Sequence, residues 1–349
     1  MADNLRLFNV LTRHQIYLEG VKAGQSREFN EALVKLDKVL RNLFSRLNYN
    51  TLDALTKKEL REFLRDLKSA QGRVYSGYAA RLEKQIRDFM AVDVDLTKEI
   101  FETLESRSMQ QAYDEGDGFP IWGLAAFLGT SKADDQLWST IKNSPIPANG
   151  ALMLAFISQF TASASQAVEN MIRKAYANKW TKQETINAII GTKAKNWRDG
   201  EFAKINRQAG AVIATAIQHV SSIVQAGIAS IFYRRYVWVS VIDGGTTDIC
   251  LGRDGKTYEY GKGPLPPAHI RCRSKTIPKP ADVDDAPQSY YSWLKSQPST
   301  VQDDILGRDR AAGLRNGNLI SKDFPKFVDA KPLSVDEFSK KRGVILTDD

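Results

Sequence analysis

The stretch YVWVSVIDGGTTDICLGRDGKTYEYGKGPLPPAHIRCRSKTIP, residues 236–278, decides how this chain is read. Up to residue 235 the pattern is helical. From Tyr236 the residues turn β-branched and aromatic, which suits a pleated, half-buried strand. YVWVSVI reads as that strand, ended by DGGTTD. CLGRDGKTYEY reads as a hairpin turning at Asp254–Gly255, a pair suited to a tight primed turn. The segment that follows reads as loop with one short strand. The same stretch holds both cysteines of the chain, Cys250 and Cys272, and one of its three histidines, His269.

Upstream the chain reads as helices. Phe29, Leu33, Leu36, Leu40, Leu43 and Leu47 recur at alternating spacings of four and three, a heptad stripe. Such a stripe packs a long helix into a bundle, or self-associates as a coiled coil and makes a homo-oligomer. Thr56 with Glu59, and Thr181 with Glu184, stand at capping-box spacing and mark two helix starts. A helix from Thr56 and a separate one over DLTKEIFETLESRSMQQAYDEG are expected, then a bend at GDGFPIWGLAAFLG and a break at NSPIPANG. Gly200 separates the helix at Thr181 from a long apolar one, FAKINRQAGAVIATAIQHVSSIVQAGIASIFYRRY, that belongs in a core. His219, inside it, reads as a packing or hydrogen-bonding residue. His14 has no partner that the sequence reveals.

These elements make a mainly α fold with a small β-containing C-terminal module (α+β) and an N-terminal helical bundle. The expected division is an N-terminal helical region at 1–150, a further helical part at 151–232, the β/loop module with its Cys/His cluster at 233–280, and a helical tail at 281–349. Hydrophobic residues make up 42% of the 349, and charged residues 26%, which gives a real core and excludes a disordered chain.

The N-terminus lacks the order of a signal peptide, and ALMLAFISQFTASASQA is too broken and short to span a bilayer. A soluble protein made in a cytoplasm, with no membrane partner, is expected. Two cysteines do not make a secreted disulfide scaffold. Net charge is +8, and residues 233–280, with 9 basic and 4 acidic side chains, carry +5 of it. Arg253, Lys256, Arg271, Arg273 and Lys275 are the candidates there for contact with phosphates or an acidic protein face.

Three readings of the cysteine segment stand open: a metal site, buried packing, and a disulfide. His269 and Cys272 have two residues between them, which lets both side chains reach one ion. Cys250 could face them across the hairpin. Asp243, at the strand end, is the candidate for a fourth ligand, and water could take that place instead. A loop-rich module with little core has a physical reason to use a metal staple. Catalytic motifs are absent: there is no GxSxG, HExxH or P-loop, and DGGTTD lacks the lysine and following helix of a phosphate cradle.

The order Trp238, Asp243, Thr246, Thr247, Cys250, Asp254, Gly255, Pro266, Pro267, His269, Cys272, Arg273 resembles the C-terminal module of the phage head morphogenesis family, minor head proteins similar to the F protein of phage Mu. Trp293, Leu294, Gln302, Leu306, Gly307 and Arg310 resemble that family's ending, and the likeness covers about residues 150–330. Two departures stand out. Ser274 replaces a cysteine the family often has, and the helix before the module lacks its Arg-Thr-Glu run.

The resemblance implies a virion protein rather than an enzyme: a minor head component incorporated near the portal, contacting portal and other head proteins, and linked to packaging or ejection of double-stranded DNA. It would be found in the phage head, and in the host cytoplasm during assembly. Asp243, Cys250, His269 and Cys272 would hold the module together, with structural zinc as the candidate cofactor. The rivals are a metal-dependent nuclease or hydrolase, and a DNA-binding accessory protein delivered with the genome.

Overall fold

The computed structural model describes residues 2–105, 131–241, 247–279, 294–318 and 332–346. The bend expected at residues 116–129, and Asp243, Thr246 and Trp293, lie outside them. Helices come first: α1 (Ala2–Ser45), α2 (Lys57–Glu105), α3 (Ser131–Asn143), α4 (Met153–Ala177), α5 (Lys182–Ile190) and α6 (Glu201–Phe232). Then come β1 (Arg235–Val239), α7 (Asp248–Arg253), β2 (Thr257–Glu259) and β3 (Lys275–Lys279). Four short helices close the chain: α8 (Ser299–Leu306), α9 (Arg308–Arg315), α10 (Val335–Lys340) and α11 (Arg342–Leu346). The protein is mainly α with a small antiparallel sheet toward the C-terminus.

Both capping boxes form. Thr56 Oγ1 accepts from the Glu59 backbone N–H at 3.2 Å, and the Glu59 carboxylate accepts from the Thr56 N–H at 2.8 Å. Thr181 and Glu184 make the same reciprocal pair at 3.1 and 2.7 Å. Each box satisfies backbone donors that the first helical turn leaves without partners. Gly200 lies between α5 and α6, as expected, directly before α6, and a Cβ there would come within 2.2 Å of the Gly191 nitrogen.

Two helical expectations are corrected. The segments placed on two helices between Thr56 and Gly116 share one helix, α2, unbroken to Glu105. No Gly or Pro falls between Met90 and Leu96, and Met90, Val94 and Leu96 are buried, so tertiary packing carries the helix through weak formers. The heptad stripe also drifts. Phe29, Leu33, Leu36 and Leu40 are buried, but the next buried residue is Phe44, with Leu43 and Leu47 only part-buried. A straight helix repeats every 3.6 residues, and without a supercoil the 3.5 stripe rotates off the core.

The chain forms two compact units of interleaved segments. Unit 1 is residues 1–24, 85–153 and 214–349, and unit 2 is residues 25–84 and 154–213. These cut across the linear division expected from sequence, because α1, α2, α4 and α6 each contribute residues to both. In unit 2, Phe29 stacks on Tyr75 with centroids 6.3 Å apart, and meets Tyr78 and Phe160 edge-on at 5.0 and 5.4 Å. Thr51 bridges Thr181, and the Leu52 N–H donates to the Trp180 carbonyl at 2.9 Å.

The two units differ in charge. Unit 2 holds 22 Lys and Arg against 12 Asp and Glu, net +10, while unit 1 holds 27 against 29, net −2. The basic character thus belongs to unit 2, and the cysteine module is a local exception within an acidic unit.

In unit 1, β1 is the central strand of the order β2-β1-β3 and pairs antiparallel with both neighbours. Its register sets Tyr236 opposite Tyr258 on one side and Trp238 opposite Thr276 on the other. Central position explains why Tyr236 to Val239 are all buried. The expected hairpin is corrected: α7 lies between β1 and β2, and Asp254–Gly255 turns from that helix into β2. Gly255 has φ +73°, so glycine suits the turn, but the chain reverses through a helix rather than a two-residue loop.

The core helix α6 is long and apolar enough to cross a membrane by length and composition, and 78% of its most apolar window is buried inside the fold. His219 on this helix lies within 3.2 Å of the Ser144 carbonyl through Nε2, and burial pushes its pKa down. His14 is also packed inside. Its Nε2 lies 2.5 Å from Asp93 Oδ1, and its Nδ1 lies 2.9 Å from Gln225 Nε2, with all three residues buried. Phe338, on α10, meets the imidazole edge-on at 5.6 Å.

Candidate metal centre

The module brings Cys250, His269 and Cys272 together. Their ligand atoms all lie within 4.8 Å of one another. The Cys250 and Cys272 sulfurs are 3.7 Å apart, and His269 Nε2 is 3.2 Å from the Cys250 sulfur. Neither cysteine is in a disulfide, and both are buried against Trp238, with Tyr258 and Ala268 packed on the cluster.

Each ligand has its own support. Cys250 sits on α7, whose carbonyl at Cys250 accepts from Ser240 Oγ at 2.9 Å. Ser240 is the hub: its hydroxyl also accepts from Trp238 Nε1 at 3.0 Å and from Ser274 Oγ at 3.2 Å, and its N–H donates to Asp254 at 2.7 Å. Strand, helix, turn and β3 approach are thereby locked at one residue. His269 and Cys272 share a tight turn, in which the Cys272 N–H donates to the His269 carbonyl at 3.0 Å. The Arg271 N–H donates to Thr215 Oγ1 at 3.0 Å, which fastens that turn to α6.

The donor set fits a tetrahedral metal. Zinc–sulfur bonds of about 2.3 Å at the tetrahedral angle put two sulfurs about 3.8 Å apart, close to the separation seen. His269 Nδ1 lies 2.9 Å from the Ile270 carbonyl, which can only accept. The Nδ1 proton is therefore held there, and in the neutral ring Nε2 keeps a lone pair facing the sulfurs, the tautomer a metal ligand needs. A hydrogen bond from the Cys250 thiol favours the Cys272 thiolate and holds its pKa below the ordinary range, and Cys250 is pushed up in turn. The Cys272 thiolate raises the His269 pKa, while Nε2 also lies 3.2 Å from the Cys250 sulfur. Thiolate character in a buried pocket is what a soft cation exploits.

Cys250, His269 and Cys272 thus meet as the metal reading of the sequence expects, with Cys250 placed by a helix instead of across a hairpin. Asp243 lies outside the described residues. Ser274, where the resembled family often has a cysteine, spends its hydroxyl on Ser240.

The basic candidates scatter. Lys256 and Arg271 are exposed, Arg273 is part-buried, and the Arg253 guanidinium stacks 5.0 Å from the Trp238 ring centroid. Lys275 is a correction: it is buried on β3, and its Nζ donates to Thr12 Oγ1 at 2.8 Å, so it cannot reach DNA or a protein face.

Burial pushes the Lys275 pKa well down. A base whose folded pKa lies below its unfolded value of about 10.4 costs stability below that pH, and the cost grows as pH falls toward the folded value. Lys275→Met is therefore expected to stabilise the protein by about 1 kcal/mol or more in denaturant melts at neutral pH. A loss of stability would contradict this account of the site.

Comparison with protein-family models, with curated proteins and with solved structures returned no match. Fold and site together define a mainly α protein carrying a small β module, in which two buried cysteines and a part-buried histidine form a group that could hold a metal.

Proposed function

We propose that this chain is a structural minor head protein of a tailed bacteriophage, not an enzyme, acting in head assembly near the portal and in packaging or ejection of DNA. The observation that supports it is convergence. Trp238, Cys250, Asp254, His269 and Cys272, spread over 35 residues of sequence and carrying the family resemblance, meet in one module around Ser240 and the two sulfurs. Both sulfurs are buried, which suits a staple better than a reaction centre.

In this reading the metal is structural zinc on Cys250, His269 and Cys272, with Asp243 or water as the fourth ligand. The protein's place is the virion and, during assembly, the host cytoplasm. Its partners are the portal and other head proteins.

The test is quantitative mass spectrometry of density-banded particles from the phage or prophage whose genome encodes the chain. Peptides of this chain should band with heads at low copy. Their absence from purified heads would remove the proposal.

One observation favours a second reading, a metal-dependent nuclease: three protein ligands, with His269 only part-buried, resemble an open catalytic site. That reading requires metal-dependent cleavage of plasmid DNA by the purified chain, lost in His269→Ala. The structural reading expects no cleavage.

A further inference from the structure

We propose that unit 2 binds single-stranded nucleic acid, and that the loop from Gly191 to Gly200 presents Trp197 as a platform on which an unpaired base stacks. This does not depend on the reading of the Cys-His-Cys group. Trp197 is 48% exposed, unusual for the largest apolar side chain. Its backbone is held in the left-handed region at φ 60°, next to Asn196 at φ 49°. Two successive non-glycine residues there cost conformational energy, and such strain persists only where the surroundings enforce it.

The enforcement is visible. The Asp199 carboxylate accepts from the Thr192 N–H and hydroxyl, each at 2.7 Å, and closes the loop. The Trp197 N–H donates to the Thr192 carbonyl at 2.9 Å. Gly191 and Gly200 pack too closely for a Cβ on either, so the base of the loop is rigid. The result is an indole held outward on a fixed support.

Its neighbours are cations. Lys193, Lys195 and Arg198 lie within four residues of Trp197 and are all exposed. They belong to a unit whose net charge is +10. An aromatic face among cations, on a strongly basic unit, matches a chain that alternates flat rings with phosphates. A duplex hides its base faces in the stack, and an acidic peptide offers none. The unpaired strand is the partner that uses both features.

Fluorescence anisotropy of the full chain with a labelled 20-nucleotide oligo(dT) tests this. Tight, salt-dependent binding is expected, with the matched duplex and poly-glutamate both weaker. Trp197→Asn removes the ring but suits the left-handed backbone, so folding should persist by circular dichroism. It should weaken oligo(dT) binding about tenfold, while Trp197→Phe stays near the parent. Lys193→Gln with Arg198→Gln should flatten the salt dependence and leave the Trp197 contribution in place. No binding of oligo(dT), equal binding of poly-glutamate, or full affinity in Trp197→Asn would each overturn the proposal.

Discussion

Cys272→Ala is expected to come through purification without zinc, where the parent chain holds about one ion per molecule by elemental analysis, and to unfold at markedly lower denaturant. In peptides with no other core, structural zinc contributes on the order of 10 kcal/mol. Here Trp238 and its neighbours pack the module as well, so we expect a loss of about 3–5 kcal/mol. Truncating a buried cysteine costs something even without a metal. The deciding comparison is therefore the parent with and without a chelator. If the chelator reproduces most of the loss, the metal carries it. A parent that holds no zinc, and melts identically with chelator, would reduce Cys250 and Cys272 to core residues.

The second large effect is expected far from this module in sequence. His14→Leu should destabilise the protein by about 3–5 kcal/mol in equilibrium denaturation, because it leaves the buried Asp93 carboxylate without its partner. The second Asp93 oxygen, Oδ2, already lacks a hydrogen bond among the described residues. Gln225 would lose its contact with Nδ1 too. Replacing both partners, His14→Leu with Asp93→Leu, should recover most of the loss, since a well-packed apolar pair carries no unmet desolvation cost. If the single and double changes destabilise equally, shape rather than polarity governs this site.

His14 and Asp93 show where sequence reading reached its limit. They stand 79 positions apart on different helices, each inside an ordinary helical pattern. No local signal pairs them. The separate helices expected on either side of Val94 are one, and α2 is unbroken there. A buried partner for Asp93 and apolar burial on either side outweigh local propensity there.

The hairpin failed for a related reason. Asp-Gly is a good tight turn in isolation. Here Cys250 packs against Trp238, and Asp254 accepts from Ser240, which favours a helical turn before the glycine. Lys275 is buried although it is one of the basic candidates, because charge in a sequence says nothing about the face of a strand.

Much was nevertheless legible in the residues. Both capping boxes are local chemistry over four positions, and both formed. The change to a β pattern at Tyr236 located the sheet, since alternation and β-branching act within the strand itself. The spacing of His269 and Cys272 allows both side chains to reach one point, and in the fold Cys250 joins them.

What the sequence by itself determined is therefore the mainly α class with its small β module, the helix starts, and the Cys-His-Cys candidates. Each rests on interactions that close over a few residues. Only the tertiary structure decided that the chain makes two interleaved units, that one of them gathers a net charge of +10 from segments 70 residues apart, and that His14 meets Asp93. Those features arise from long-range burial, in which a residue's partner is set by the packing of whole helices and leaves no mark on its neighbours in sequence.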